Sequence, residues 1–131
     1  MIPRIELVHA DNRGEIYSIA LPDGQELMLL HSVAGSLRGG HSHSCDEVVL
    51  LLSGKMRYLK HIDSFPNDTV SEEMAGGDLS YNPAGQNHMG EALTDLWLIE
   101  YKFAKKGEWT QANYPPYREQ VEESARASNQ G

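Results

Sequence analysis

Short runs of strand-forming residues, each cut off by a turn, fill this chain from Glu15 to Phe103. Glu15–Ala20 ends at Pro22-Asp23-Gly24, and Glu26–Val33 follows. Glu47–Leu52 is rich in Val and Leu and breaks at Ser53-Gly54, so Lys55–His61 reads as the return arm of a hairpin. A polar loop over Ile62–Asn67 leads to a short strand at Thr69–Met74, and Gly76-Gly77 separates that from Asp78–Tyr81. The Pro/Gly turn Asn82–Asn87 precedes His88–Leu93, and Leu96–Phe103 is the last clear strand. Regularly spaced short strands of this kind predict an all-β barrel or sandwich.

Behind that region the character changes. Pro115-Pro116 stops the strand pattern, Tyr117–Ala127 is polar with good helix formers, and Ser128–Gly131 reads as a frayed end. The 131 residues fit one domain, 1–131, with a barrel core over about 14–104 and a tail over 105–131. A short C-terminal helix packed on the outside of the barrel is the expectation for the tail. Trp97, inside LWLIEY, is expected in the core.

Composition narrows the partners. A net charge of −8 disfavours nucleic acid and anionic membrane surfaces, which want clustered Lys and Arg. The acids Asp63, Asp68, Glu72, Glu73 and Asp78 read as a solvated face, since a calcium loop wants a tighter pattern with a sharp Gly turn. The longest apolar runs, such as Val48–Leu52, are too short to span a bilayer, and no signal peptide is visible at the N-terminus. The single Cys45 cannot form an internal disulfide and is expected to be a buried, inert thiol. Together these predict a cytoplasmic protein.

The chemistry concentrates in residues 35–54, GSLRGGHSHSCDEVVLLLSG. Residues i and i+2 of a strand share a face, so His41 and His43 can point the same way. Glu47 opens the apolar run that follows, and a buried carboxylate is costly unless it is paired. A metal ion, a salt bridge or solvent would each serve as partner, and the residues alone leave that choice open. A second stretch, GDLSYNPAGQNH over 77–88, places His88 at the start of a neighbouring strand.

These two stretches resemble the paired motifs of the cupin superfamily. The first family pattern, G-x5-H-x-H-x3-E-x6-G, is matched by Gly35, His41, His43, Glu47 and Gly54. The second, G-x5-P-x-G-x2-H-x3-N, is matched by Gly77, Pro83, Gly85 and His88, with Ala92 where the family often has Asn. That Asn is not a metal ligand in the family, so the departure bears on packing or pocket polarity. The resemblance implies a cupin β-barrel, a double-stranded β-helix or jelly roll. It implies His41, His43, Glu47 and His88 as metal ligands, and a homodimer joined through barrel edges or exchanged N-terminal strands. Three imidazoles and one carboxylate suit iron, manganese, nickel, cobalt or zinc.

Such a site implies a metal-dependent enzyme acting on a small-molecule substrate. Dioxygenase (oxidoreductase), isomerase and lyase chemistries all occur in the family. No general acid or base can be assigned from spacing; Tyr58 and then His61 are the candidates, because either face of Lys55–His61 can look inward. Asp11-Asn12-Arg13-Gly14 is similar to a feature of cupins that modify nucleotide sugars, although the same residues also favour an ordinary turn. A nucleotide-sugar epimerase or ketoisomerase is therefore one alternative, and a non-enzymatic ligand-binding cupin is another.

Overall fold

The computed structural model describes residues 4–61 and 69–130. Its strands are β1 (Arg4–Asp11), β2 (Gly14–Ala20), β3 (Glu26–Ser32), β4 (Leu37–His43), β5 (Glu47–Ser53) and β6 (Lys55–His61). They continue with β7 (Thr69–Ala75), β8 (Leu79–Asn82), β9 (Asn87–Ala92), β10 (Leu96–Lys102) and β11 (Gln111–Asn113). One helix, α1 (Pro115–Gln130), closes the chain. The expected polar loop Ile62–Asn67, with Asp63 and Asp68, lies outside the described residues. No helix among the described residues is long and apolar enough to cross a membrane.

The strands form two antiparallel sheets in a jelly-roll arrangement. The six-stranded sheet has the order β1-β2-β3-β10-β5-β8, and the five-stranded sheet has the order β11-β4-β9-β6-β7. Alternation along each strand decides what faces inward. On β5, Glu47, Val49 and Leu51 are buried, and on β10 Leu96 and Leu98 are. Leu30, Met56, Tyr58, Met74 and Ala92 complete the same core. Burying a side chain the size of Leu51 contributes about 1.5–3 kcal/mol. This packing fills one end of the space between the sheets and leaves the other end to polar groups.

Three strands escape the reading of the sequence: β1, β4 and the short β11. β1 extends the sheet beyond β2, but most of its residues are exposed, so its alternation marks no buried face. β4 carries Gly39 and Gly40 in its interior, both at positive φ, 95° and 83°. Interior glycines read as breaks, whereas here they make a bulge, and the register shifts between Gly39 and His41. Trp97 departs from expectation as well. It occupies the outward phase of β10, is 37% exposed, and stacks on His31 at 4.8 Å.

Helix α1 lies against β4, as a tail packed on the outside should. It begins at Pro115, before the expected start, because a proline in the first turn gives up no intrahelical donor. Tyr117 and Val121 are buried against Met89 of β9. The approach is close: a Cβ on Gly40 would sit 2.9 Å from the backbone N and Cα of Arg118.

Candidate metal centre

Four strands deliver the polar end of the interior. β4 brings His41 and His43, β5 brings Glu47, β9 brings His88, and β10 brings Glu100 and Lys102. The chain turns at Ser44–Asp46, so Glu47 re-enters the sheet directly beneath the imidazoles. His41 pairs across the ladder with His88. The ring centroids of His41 and His43 are 4.7 Å apart, and those of His41 and His88 are 5.1 Å apart. One ring nitrogen from each of the three lies within 4.8 Å of the others, close enough to hold a single metal ion.

Glu47 is fully buried at the floor of this cluster. Its Oε1 lies 3.6 Å from His88 Nε2, and its Oε2 lies 3.7 Å from His43 Nδ1. His88 Nδ1 faces the carbonyl of Gln86 at 3.2 Å. Donation to that carbonyl places the proton on Nδ1 and leaves the Nε2 lone pair facing a carboxylate oxygen. Two acceptors that close repel unless a cation or a proton comes between them. His41 Nδ1 and His43 Nδ1 are also buried without a hydrogen-bond partner among the described residues. The chemistry of this donor set fits a divalent transition metal.

Electrostatics keeps the imidazoles in the form a metal needs. Burial, then the neighbouring His88 and His43, pulls His41 down to about 3. Burial and Lys102 pull His43 down to about 3. His88 is lowered too, chiefly by burial. Glu100 behaves oppositely: burial and the adjacent Glu47 push it up to about 7. For Lys102, burial favours the neutral amine, but Glu100 and Glu47 outweigh it and hold the ammonium above its ordinary value.

The other sequence candidates separate. Tyr58 faces inward, is buried, and lies edge-on to the His88 ring at 5.8 Å. Asn82 Nδ2 donates to Tyr58 Oη at 2.8 Å and to Glu47 Oε1 at 3.2 Å, tying the two together. His61 occupies the opposite phase of β6 and stacks on Tyr114 at 5.3 Å, away from the cluster. Cys45 is half-buried where a buried thiol is expected, and burial raises its thiol above the ordinary value. Asp11 and Arg13 form a tight pair at the β1–β2 turn, with Arg13 Nη2 donating to Asp11 Oδ2 at 2.7 Å.

Reading by motif passes over Asn82, Glu100, Lys102 and Trp109. Glu100 and Lys102 had a usable signal, because they continue the inward phase that Leu96 and Leu98 begin. Trp109 had none: it reaches the site from the segment after β10, where its ring lies perpendicular to that of His43 at 5.3 Å and its face lies 4.6 Å from Lys102 Nζ. The cluster opens into a cavity of about 430 Å³ between the sheets, walled by apolar Met28, Leu30, Val49 and Leu98.

No family model matches this chain. No curated protein matches it either. Solved structures do. CapF from Staphylococcus aureus, a capsular polysaccharide assembling protein, aligns with 78% of this chain at 24% identity and a TM-score of 0.62, using 28% of its own length. Oxalate decarboxylase from Bacillus subtilis aligns with 83% of this chain at 19% identity and a TM-score of 0.65, using 30% of its length. That enzyme has Mn(II) centres. Vicilin from Corylus avellana aligns with 83% at 12% identity and a TM-score of 0.70, using 32% of its length. The chain thus spans about a third of the length of these proteins, and at such identities the likeness speaks for the fold.

Proposed function

The chain has the fold of a small cupin, shared with CapF and oxalate decarboxylase, and from that premise we propose that it is an enzyme acting on a small molecule through a divalent transition metal. His41, His43, Glu47 and His88 are the proposed ligands. The observation that carries this reading is the meeting of three neutral imidazoles and a buried carboxylate with orphaned acceptor atoms at the end of a cavity. Bound there, such an ion would polarise a substrate oxygen or bring dioxygen to it.

The chain's own residues do the rest. Asn82 orients the Glu47 carboxylate and the Tyr58 hydroxyl. Leu30, Val49 and Leu98 exclude water from the cavity wall. Glu100, which lines the cavity beside Glu47, is the group placed to carry a proton to and from a bound molecule. Dioxygenase, isomerase and lyase reactions all suit such a site.

Metal content measured by mass spectrometry, on protein purified without a metal column, tests this reading. About one iron, manganese, nickel, cobalt or zinc per chain is expected, with loss in His41→Ala and His88→Ala. A wild type that is empty and cannot be loaded would sink it.

A second reading rests on Arg13, whose side chain lines the cavity although Asp11 anchors it. A nucleotide-sugar-modifying cupin would bind such a sugar there and keep its activity in EDTA; abolition of all activity by the chelator counts against it. A homodimer is the oligomeric state we propose. Ile5 and Leu7 on the free edge strand and Leu79 and Tyr81 at the other edge are exposed apolar side chains of one sheet. Light scattering that gives a monomer mass would oppose it.

A further inference from the structure

The cavity holds a cation that the proposed metal chemistry does not use. Arg38 lies on β4 opposite Gly90, and its side chain lines the cavity. Arg38 Nε donates to Ser32 Oγ at 2.7 Å, and Nη2 donates to the His31 carbonyl at 3.2 Å. These two bonds fix the guanidinium plane and leave Nη1 free of any protein partner among the described residues. No carboxylate there forms an ion pair with it. The other cations lining the cavity differ: Arg13 is paired with Asp11, Lys102 with Glu47 and Arg118 with Glu122.

A guanidinium does not shed its proton in a protein, so a largely buried one needs an anion to balance it. Burial first, and then the neighbouring Arg13, work against its charge, and Asp11, Glu100 and Glu15 offset them only in part, none of them as an ion-pair partner. Small and apolar groups line the cavity that Arg38 shares with the imidazoles, alongside the Glu100 carboxyl. Gly90 sits two residues from His88 on β9, and a Cβ there would meet Met56 Cε at 2.7 Å. Met28 and Leu98 face the same space. The cavity therefore brings a cation without an ion-pair partner, an apolar wall and the metal-ligating cluster into one space.

We infer that this cavity takes a small carboxylic acid, with the carboxylate read by Arg38 and the rest of the molecule lying along the apolar wall toward His88. The inference rests on the proposed metal-site reading for what happens at the far end, but the Arg38 end stands on its own contacts. A planar fork held by Ser32 and His31 matches a planar carboxylate in two parallel hydrogen bonds. Arg38 is thus a specificity-determining residue.

Isothermal titration calorimetry with glutarate, and with uncharged glutaramide as the shape control, tests this on metal-free and zinc-loaded protein. Wild type is expected to bind glutarate and ignore glutaramide. Arg38→Met should weaken glutarate binding about ten- to a hundredfold, the usual range for a lost charged hydrogen bond. Arg38→Lys keeps the charge but loses the fork, and should also bind several-fold more weakly; it decides the matter if the Met variant fails to fold. Wild type that binds neither probe, variants that bind glutarate as wild type does, or inorganic phosphate that binds more tightly than glutarate would each overturn the inference. Zinc retained with glutarate ignored fails the carboxylate inference alone. Glutarate bound through Arg38 by protein that takes up no metal fails the metal reading alone.

Discussion

The Lys102 ammonium lies 3.1 Å from Glu47 Oε2, with its other side over the Trp109 ring. The fully buried carboxylate therefore has a cation beside it even before any metal is considered. Lys102→Met should destabilise the metal-free protein by about 3 kcal/mol, the usual scale for leaving one charge of a buried pair alone. Zinc would then supply the missing positive charge, so its stabilising shift should be larger in the variant than in wild type. Thermal melting with and without zinc checks this, and an equal shift in both proteins would separate Glu47 from the metal.

Asn82 bridges Glu47 and Tyr58 through one amide nitrogen. Asn82→Ala removes the donor from both and should cost about 1–3 kcal/mol of stability. Because it also frees Glu47 to rotate, metal affinity should fall about ten- to a hundredfold. Competition with a fluorescent chelator measures that loss, and unchanged affinity would show that Glu47 does not depend on Asn82.

The metal-free protein should be most stable near pH 6.5. His41 and His43 titrate near 3 when folded against an ordinary 6.5. The unfolded chain therefore binds more protons between those values, and stability is lost as pH falls through that window. Glu100 titrates near 7 when folded against an ordinary 4.5. It binds more protons folded than unfolded between 4.5 and 7, so its contribution is lost as pH rises there. Two imidazoles outweigh one carboxyl below 6.5, and the carboxyl alone acts above it. Melting temperatures across pH 4–8 test the profile, and Glu100→Gln should abolish the fall between pH 6.5 and 7.

Gly40→Ala should loosen α1 from the sheet. The new Cβ would press on the Arg118 backbone at 2.9 Å while the residue stays at φ 83°. Overpacking plus a left-handed alanine predicts a loss of about 2–3 kcal/mol. Urea unfolding should show the lower midpoint, and limited proteolysis should cut within α1 first. Full protection of the helix would place its anchorage elsewhere.

The all-β class and most strand limits were legible because turn residues mark them and alternation names their faces. β6 over Lys55–His61 was read to the residue, although only packing shows that Tyr58 and not His61 turns inward. β4 was hidden by Gly39 and Gly40, whose backbone freedom imitates a break while making the bulge that sets His41 beside His88. The histidines and Glu47 were legible through spacing. Arg38 and Asn82 were not, since a lone charged or amide residue in a strand acquires meaning only from what another strand puts opposite it.

The inward rungs of the jelly roll separate two kinds of work along single strands. On β10, Leu96 and Leu98 belong to the hydrocarbon half while Glu100 and Lys102 belong to the polar half; on β5, Leu51 and Val49 lead up to Glu47. The lower rungs can hold the two sheets together whatever stands above them. The polar end can therefore be rewritten at three or four upper rungs with the foundation left untouched.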